Sequence, residues 1–217
     1  MMMHSGGKPT MFQIMCQTED ISDIYKWHSS LSEDRKDSMN GHLRGQLGAS
    51  AKIDELHAAG ITTETIGSIS FKSILDGKTI SVLLFKNGKI KISGGFPSEL
   101  LYCRDVATMN QYIHKVVTSV QTIIKMDIKN TKISCLNGQF QTQKFDNVNH
   151  LYIYLKSKEC QFHRMKAPDF DIPGRRGAFK LYLHRNRKTH IAIDTKGKSQ
   201  IFAAISFDEL FNMFKML

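Results

Sequence analysis

The fold is decided by the stretch Leu83-Leu84-Phe85-Lys86-Asn87-Gly88-Lys89-Ile90-Lys91-Ile92-Ser93-Gly94. Asn-Gly is the dipeptide that tight hairpin turns favour, because both central residues of such a turn take positive φ angles. Apolar and polar residues alternate on either side of it, as they do in a strand that buries one face. The stretch therefore predicts two antiparallel strands joined by a two-residue turn.

Upstream of this stretch apolar and polar residues continue to alternate, and downstream of it the apolar residues recur at helical spacing. Residues 66–73 and 79–85 alternate around Asp76-Gly77, which predicts another hairpin turn. Pro97 opens a stretch that has apolar residues at helical spacing up to Ile124. The central part of the first half is thus predicted to be a three-stranded meander followed by a long helix.

The same order of elements occurs twice along the chain. Before the first meander the sequence predicts a strand, a helix and a long polar loop that holds some helix, at residues 10–17, 21–31, 32–60 and 51–59. The second half predicts a strand, a helix, a Pro-containing polar stretch, three strands and a helix, at residues 132–142, 147–155, 167–174, 179–185, 190–194, 199–204 and 207–216. Ser206 and Glu209 have the spacing of a capping box at the start of the last helix.

Two copies of one order indicate an internal duplication. Gly197-Lys198 follows a turn in the second half just as Gly88-Lys89 does in the first. We therefore predict an α+β protein with a flexible start at residues 1–9, a first repeat at 10–125 and a second repeat at 126–217. Two such halves side by side would form one antiparallel sheet with helices on one face, which leaves the other face open to a ligand.

Composition excludes several classes of protein and favours an anionic partner. The 217 residues are 41% apolar, which is enough for a core and argues against disorder. No stretch predicts a membrane span, and the first residues lack the apolar segment of a secretory signal. The net charge of +10 is unevenly distributed, since 13 Lys or Arg stand against 12 Asp or Glu up to residue 123, and 17 against 8 after it. This excess favours DNA, RNA or an acidic protein as partner, with a solvated basic face as the open alternative.

The four cysteines, Cys16, Cys103, Cys135 and Cys160, are far apart in sequence. Without a secretory signal, we expect reduced thiols in a cytosolic or nuclear compartment. Cys160 and His163 have the spacing of half a zinc site, but no matching second pair follows. We therefore predict neither a metal nor a cofactor.

At these residues the chain resembles the TATA-box-binding protein (TBP) family, in particular the divergent members carried by large DNA viruses. Each repeat of that family has a strand–turn–strand of the form Leu-Ile-Phe-x-x-Gly-Lys-x-x-x-Thr-Gly, which the stretch from Leu83 to Gly94 matches. The stretch Lys129-Asn130-Thr131-Lys132-Ile133-Ser134-Cys135 is similar to the family's Gln-Asn-x-x-x-Ser-Cys. The resemblance implies a saddle of two pseudo-symmetric repeats, with one curved antiparallel sheet and helices on its convex face. It also implies a location in the nucleus or, for a viral protein, in a cytoplasmic virus factory or virion.

In that family the concave sheet binds the minor groove of DNA, and pairs of Phe wedge into base steps and kink the duplex. By position, Phe85 is such a wedge, Asn130 is an amide for the acceptors shared by A·T and T·A pairs, and Ser93 is a groove-facing hydroxyl. Asp194 stands at the matching wedge position of the second repeat, where a carboxylate would repel phosphates. Phe179 lies two residues from the expected partner Phe of that repeat.

Basic residues near these strands complete the predicted DNA-contacting set. They are Lys89, Lys91, Arg175, Arg176, Lys180, Arg185, Arg187, Lys188 and Lys198. Phosphate contacts from Lys and Arg supply most non-specific affinity for DNA. Bland alternatives stay open: Phe85 could be a core residue, Asn130 could bond its own backbone, and the basic cluster could be a solvated hairpin.

The sequence therefore predicts a non-enzymatic initiation factor that binds A·T-leaning double-stranded promoter DNA in the minor groove. Its expected protein partner is an initiation factor of the TFIIB type or RNA polymerase. One alternative is a protein-interaction scaffold with the same fold and weak or no DNA binding. Another is an unrelated enzyme on a similar fold, against which the sequence shows no nucleophile elbow, Walker loop, dinucleotide fingerprint or metal-ligand helix.

Overall fold

The computed structural model describes residues 5–22, 24–31, 42–45, 50–52, 66–168, 177–185 and 187–216. The strands in these segments are β1 Ser5–Gln17, β2 His42–Gly45, β3 Ser50–Lys52, β4 Ile66–Leu75, β5 Lys78–Phe85, β6 Lys89–Gly94, β7 Lys129–Gln141, β8 Arg164–Lys166, β9 Phe179–Tyr182, β10 His190–Ile193 and β11 Lys198–Ala204. They form one antiparallel sheet in the order β3-β2-β4-β5-β6-β1-β7-β11-β10-β9-β8.

The α-helices in the same segments are α1 Ile24–Ser29, α2 Val106–Ile124, α3 Val148–Ser157 and α4 Phe207–Met213. Short 3₁₀ turns lie at Ser98–Leu100 and Glu159–Gln161. Within the described residues, no helix combines the length and the apolar character needed to cross a membrane.

The chain folds into two compact units that do not follow chain order. The N-unit comprises Gln13–Pro97 and Asn110–Ile133, and the C-unit comprises Met1–Phe12, Ser98–Met109 and Ser134–Leu217. Strands β1 and β7 and helix α2 each contribute residues to both units. The repeats expected from the sequence are consecutive instead, and their boundary at residue 125 stays a prediction.

In the N-unit, the meander β4–β5–β6 forms at both predicted turns. Asp76 (φ 48°) and Gly77 (φ 69°) have the positive angles of a two-residue turn, whereas the second turn has three residues, 86–88, and of Asn87 and Gly88 only Gly88 (φ 68°) has a positive φ. Every second strand residue is buried, and the buried set is Ile69, Phe71, Ile80, Val82, Leu84, Ile90 and Ile92. Burying one such side chain stabilises a fold by about 1.5–3 kcal/mol, so this face forms the core of the unit.

The C-unit has the same construction around β9–β10–β11. The buried strand residues are Phe179, Leu181, Ile191, Ile193, Ser199 and Ile201, and α4 packs against β11. Ser206 caps α4, since its hydroxyl accepts the N–H of Glu209 at 3.1 Å. Glu209 Oε2 accepts the N–H of Ile205 at 2.8 Å. The predicted cap is confirmed, although its return bond goes to the residue before Ser206.

One side of the C-unit is closed by a cation that lies over two rings. The Arg104 guanidinium is 5.3 and 5.1 Å from the ring centres of Phe211 and Phe214, and it donates to the Gly7 carbonyl. A Cβ on Gly7 would lie 2.4 Å from the Phe214 ring, so glycine permits this close approach. Residues 5–9, expected to be flexible, therefore belong to a packed strand.

Helix α2 begins later than its apolar spacing predicts. The segment after Pro97 makes only a 3₁₀ turn, and Asp105 then caps α2 by accepting the N–H of Thr108 at 2.9 Å. The hydroxyl and the N–H of Thr108 both lower the pKa of the Asp105 carboxyl. An N-cap side chain of this kind satisfies a backbone donor that the first turn leaves unpaired.

The long loop predicted at 32–60 contains two strands. Residues 42–45 form β2, which pairs with β4, and residues 50–52 form β3 at the edge of the sheet. Both strands are too short to show the alternation that identifies a strand from sequence. Of the helix predicted at 51–59, Ala51 and Lys52 lie in β3, and the remainder falls outside the described residues.

Candidate nucleic-acid interface

Strand residues that alternate with the buried ones form an exposed face in each unit. The N-face consists of Ser70, Lys72, Ile74, Thr79, Ser81, Leu83, Phe85, Lys89, Lys91 and Ser93. The C-face consists of Arg164, Lys166, Lys180, Tyr182, His190, Ala192, Lys198, Gln200 and Phe202. Residues that pair across neighbouring strands share a face. Neither set contains an acidic residue, so both faces suit a polyanion.

Phe85 lies on the N-face and not in the core. It is half-buried and pairs with Ser68 of β4, whereas its neighbour Leu84 is completely buried on the opposite face. Leu83 pairs with Lys91 on the same face, which sets apolar surface beside a cation. The core alternative for Phe85 is therefore excluded, and its ring can meet a ligand.

Each meander has a hairpin turn that is held by the same contacts. The Gly88 carbonyl accepts the N–H of Thr18 at 2.8 Å, and the Gly197 carbonyl accepts the N–H of Thr142 at 2.8 Å. The Gln before each Thr donates its side-chain amide to a turn carbonyl, at 2.7 and 2.8 Å. Both glycines have positive φ, and a Cβ on either would lie 2.4 Å from a carbonyl oxygen. Glycine is thus required in both Gly-Lys turns for the same reason, because the position has a positive φ and no room for a Cβ.

The carboxylate of Asp194 is engaged in its own turn. Its Oδ1 accepts the N–H of Lys198 at 2.9 Å, and Asn87 Oδ1 accepts the N–H of Lys89 at 3.2 Å in the other turn. The position that the resemblance assigns to a second wedge therefore stabilises a turn through its side chain.

Three rings and one guanidinium form a row across four strands of the C-face. Tyr182 pairs with His190, and His190 pairs with Phe202. The ring centres are 5.2 and 5.0 Å apart, and the His190 and Phe202 planes are 20° from parallel. Arg164, opposite Tyr182, places its guanidinium 4.6 Å from the tyrosine ring centre. We call these four side chains the aromatic row.

The histidine within the aromatic row is uncharged near neutral pH. Burial lowers the pKa of the His190 imidazole below 6.5, and Lys180 lowers it further, although a hydrogen bond to the Lys188 carbonyl opposes both. The His190 Nδ1 lies 2.7 Å from that carbonyl oxygen, so the neutral ring carries its proton on Nδ1. A neutral imidazole stacks between the two other rings without a buried charge.

The loop that joins β9 to β10 borders a basic pocket beside the aromatic row. The pocket has a volume of about 660 Å³ and is lined by His163, Arg164, Tyr182, His184, Arg185, Arg187, Lys188 and His190. Glu209 Oε1 lies 2.9 Å from His184 Nε2 and 3.3 Å from Arg187 Nη2. Arg185 and Lys188 are exposed, and no carboxylate among the described residues pairs with either.

The structure places most of the predicted DNA-contacting cations on these surfaces. Lys89 and Lys91 lie on the N-face, Lys180 and Lys198 on the C-face, and Arg185, Arg187 and Lys188 in the loop before β10. Arg175 and Arg176 lie outside the described residues. Ser93 is half-buried on the N-face, opposite Ser81. Asn130 is exposed at the start of β7 with φ 51°, which is a conformation that asparagine tolerates.

Phe179 is misplaced by the sequence prediction. It is 3% exposed and lies on the buried side of β9, with its ring centre 6.1 Å from that of Tyr152 in α3. The alternation along β9 puts Lys180 and Tyr182 on the C-face instead. The contact with DNA predicted for Phe179 is therefore incorrect.

None of the four side chains of the aromatic row was identified from the sequence as a site residue. His190 and Phe202 lie twelve residues apart and meet only through the register of β10 and β11. The Gly197 turn fixes that register, so counting outward from it would have paired them. Arg164 lies in the three-residue strand β8, whose sequence gives no strand signal. Among the described residues, no three His, Cys, Asp or Glu side chains cluster as metal ligands.

Comparison with known proteins bears on the fold. No protein-family model matches the sequence, and no curated protein matches it. Among solved structures, that of Methanococcus jannaschii TBP is similar, with a TM-score of 0.52 and 12% identity over 98% of this chain and 99% of that chain. A likeness at this identity concerns the path of the backbone and not the side chains. The chain has a TBP-like fold.

Proposed function

We propose that this protein is a TBP-like transcription initiation factor that contacts promoter DNA in the minor groove through its N-face and C-face. The supporting observation is a TBP-like fold whose exposed sheet residues are basic, polar or apolar but not acidic. Lys and Arg on such a surface neutralise phosphates and release counterions, which favours binding to any duplex.

The two faces have different roles in this proposal. On the N-face, Phe85 and Leu83 offer partly exposed apolar surface next to Lys91, which suits insertion at a base step. On the C-face, Arg164, Lys166 and Lys180 offer cations to phosphates. The recurring turn contacts support the further proposal that the units are the two pseudo-symmetric repeats of a saddle.

The protein acts without catalysis in this proposal. It recruits an initiation factor of the TFIIB type or RNA polymerase, as the resemblance implies. A promoter-bound role places it in the nucleus or, for a protein of a large DNA virus, in the virus factory. A modest A·T preference is expected, because Asn130 is an exposed amide that can bond the acceptors common to A·T and T·A pairs.

A scaffold that binds proteins and little DNA is the second candidate function. Helix α3 exposes Tyr152 and Ile153, at 42% and 65%, on a surface that is not part of the sheet. Lys156 lies 5.9 Å from the Tyr152 ring centre. Apolar side chains of this size on an exposed helix are typical of partner contacts when they adjoin one another.

Salt-dependent binding to short A·T-rich and G·C-rich duplexes tests the first proposal. We expect binding that weakens steeply between about 50 and 200 mM salt, with a small A·T preference. Absence of binding to both duplexes at about 50 mM salt would exclude the DNA-binding function and favour the scaffold.

Bending of a labelled A·T-rich duplex, measured by fluorescence energy transfer, tests the role of Phe85. Phe85→Ala should reduce bending more than affinity, whereas Ile153→Ala on α3 serves as the control and should change neither. Asp194→Phe should increase bending, because it supplies a ring at the matching position. Unchanged bending in both variants would show that neither turn region meets the groove.

A further inference from the structure

The basic pocket beside the aromatic row has the size of a nucleotide site. Its volume of about 660 Å³ falls within the range of roughly 300–1,000 Å³ that small-molecule sites occupy. It lies within the C-unit, between the short strands β8 and β9 and the loop that leads to β10. The pocket thus combines three residues of the C-face, Arg164, Tyr182 and His190, with residues of the loop before β10.

The charge of the pocket selects an anion. Arg164, Arg185, Arg187 and Lys188 line it, and among the residues that the structure describes Glu209 is the carboxylate that contacts this group, through Arg187. One carboxylate neutralises at most one of the four cations. Guanidinium groups bind phosphate through paired hydrogen bonds, while an ammonium group supplies a point charge.

The back of the pocket is held in place by Glu209. Its two oxygens contact His184 and Arg187 on one side and the N–H of Ile205 on the other. This carboxylate is 14% exposed, and its own N–H is bonded to Ser206. Arg187 is therefore positioned before a ligand arrives, whereas Arg185 and Lys188 remain available to an incoming phosphate.

Part of the pocket wall is aromatic. Tyr182 and His190 both line the pocket, and their rings belong to the aromatic row. A simple inorganic anion would gain nothing from this wall. A nucleobase would, because bases pack favourably against aromatic side chains.

We propose that this pocket binds a phosphorylated nucleotide, with its phosphate at Arg185, Arg187 and Lys188 and its base against the outer edges of the Tyr182 and His190 rings, whose faces are covered by Arg164, Phe202 and each other. The nucleotide is either free or part of an unpaired nucleic-acid strand, since the chemistry that recognises it is the same. The site does not require the duplex contact proposed for the N-face and C-face, and a failure of that contact leaves this inference intact.

Calorimetric titration of the full chain at low salt tests the assignment with four probes: AMP, adenosine, inorganic phosphate and oligoglutamate. AMP should bind at least tenfold more tightly than adenosine or inorganic phosphate, because it alone supplies both the phosphate and the base. Oligoglutamate binding as tight as that of AMP would overturn the nucleotide assignment and indicate an acidic protein partner. Absence of AMP binding at millimolar concentration would overturn it as well.

Two variants and one control locate the site. Arg185→Gln with Lys188→Gln should weaken AMP binding about tenfold, which corresponds to the loss of charge-assisted bonds. Tyr182→Leu should weaken AMP binding while leaving inorganic phosphate unaffected. Lys144→Gln with Lys215→Gln removes the same charge from exposed positions elsewhere in the C-unit. Equal weakening in this control would show that only net charge matters and would overturn the site.

The source of the nucleotide is decided by a second titration. ATP is compared with a short oligothymidylate that does or does not carry a 5′-phosphate. Tighter binding of ATP indicates a free nucleotide, and tighter binding of either oligonucleotide indicates a strand. Failure of both ATP and the oligonucleotides to compete with AMP would contradict a nucleotide pocket.

Discussion

The hairpin regions of the two units share a backbone and differ in what they expose. When Gly88 is matched with Gly197, the strand registers make Lys72, Ser81 and Ser93 equivalent to Tyr182, His190 and Phe202. The N-unit therefore has small or charged residues where the C-unit has stacked rings. At the turn the contrast is reversed, since Phe85 is matched by Asp194.

The two units show that different physical constraints act on the buried side, the turns and the exposed side of the strands. Most positions on the buried side keep large apolar residues in both units, because a change of volume in a close-packed core is destabilising. Ser199, which stands where the N-unit has Ile90, is an exception. The turns keep glycine and a polar side chain that accepts an N–H, because backbone geometry demands both. The exposed side carries neither constraint, and there the two units have opposite chemistry.

The largest expected effect on stability comes from replacing each of the two turn glycines by alanine. Gly88→Ala and Gly197→Ala should each lower the free energy of unfolding by about 2–4 kcal/mol, since each adds a left-handed residue and a clash with a carbonyl oxygen. Gly77→Ala is the matched control, because Gly77 also has positive φ but open space around it. Its cost should be only about 1 kcal/mol. Urea unfolding measures all three, and an equal loss at Gly77 would remove the clash from the explanation.

A smaller difference is expected between two threonines at equivalent places. The Thr142 hydroxyl donates to the Gly197 carbonyl at 3.1 Å, whereas the buried Thr18 hydroxyl has no hydrogen-bond partner among the described residues. Thr142→Val should cost about 1 kcal/mol, and Thr18→Val should be neutral or stabilising by up to about 1 kcal/mol. Changes of opposite sign in the free energy of urea unfolding would confirm that the two threonines differ. Equal losses in the two variants would contradict it.

The smallest expected effect is a pH dependence that comes from His190 in the C-unit. The pKa of His190 is lowered in the folded state, so protonation is disfavoured there relative to the unfolded chain. Its contribution to stability is therefore present above about pH 6.5 and is lost as the pH falls through the lower folded value. His190→Gln should reduce the loss of stability between pH 7.5 and 5. The exposed His114→Gln serves as control, and an identical change in both variants would dismiss the assignment.

The sequence predicted the parts of this fold that rest on short-range rules. The turns at Asp76-Gly77 and Asn87-Gly88, the cap of α4 and the alternating strands all follow from neighbours in the chain. Phe85 was correctly placed on a strand, and its exposure follows from the period of two. The prediction failed at Phe179, because β9 is only four residues long and its alternation does not fix its register. A shift of one residue moves every side chain to the other face of the strand.

The pairing of distant elements was beyond the sequence. Neither β2 nor β3 has an alternation that identifies it, and both exist through pairing with a neighbouring strand. The aromatic row needs three strand registers at once, and a candidate site of that kind becomes visible only in three dimensions. The basic loop before β10 was visible in the composition, but its pocket was not.

The bridge from Arg104 to Gly7 and Phe214 has a consequence for the order in which the chain can fold. The C-unit needs β1, the turn that carries Arg104 and the end of α4, which follows every other element described. The N-unit ends at Ile133 and can complete its meander and the matching part of α2 while the second half is still being synthesised. During that interval residues 5–12 lack the C-unit residues against which they pack in the folded protein, because most of the C-unit has not yet been synthesised. The fold should therefore assemble vectorially, with residues 5–12 of the first strand among the last to become protected from hydrogen exchange.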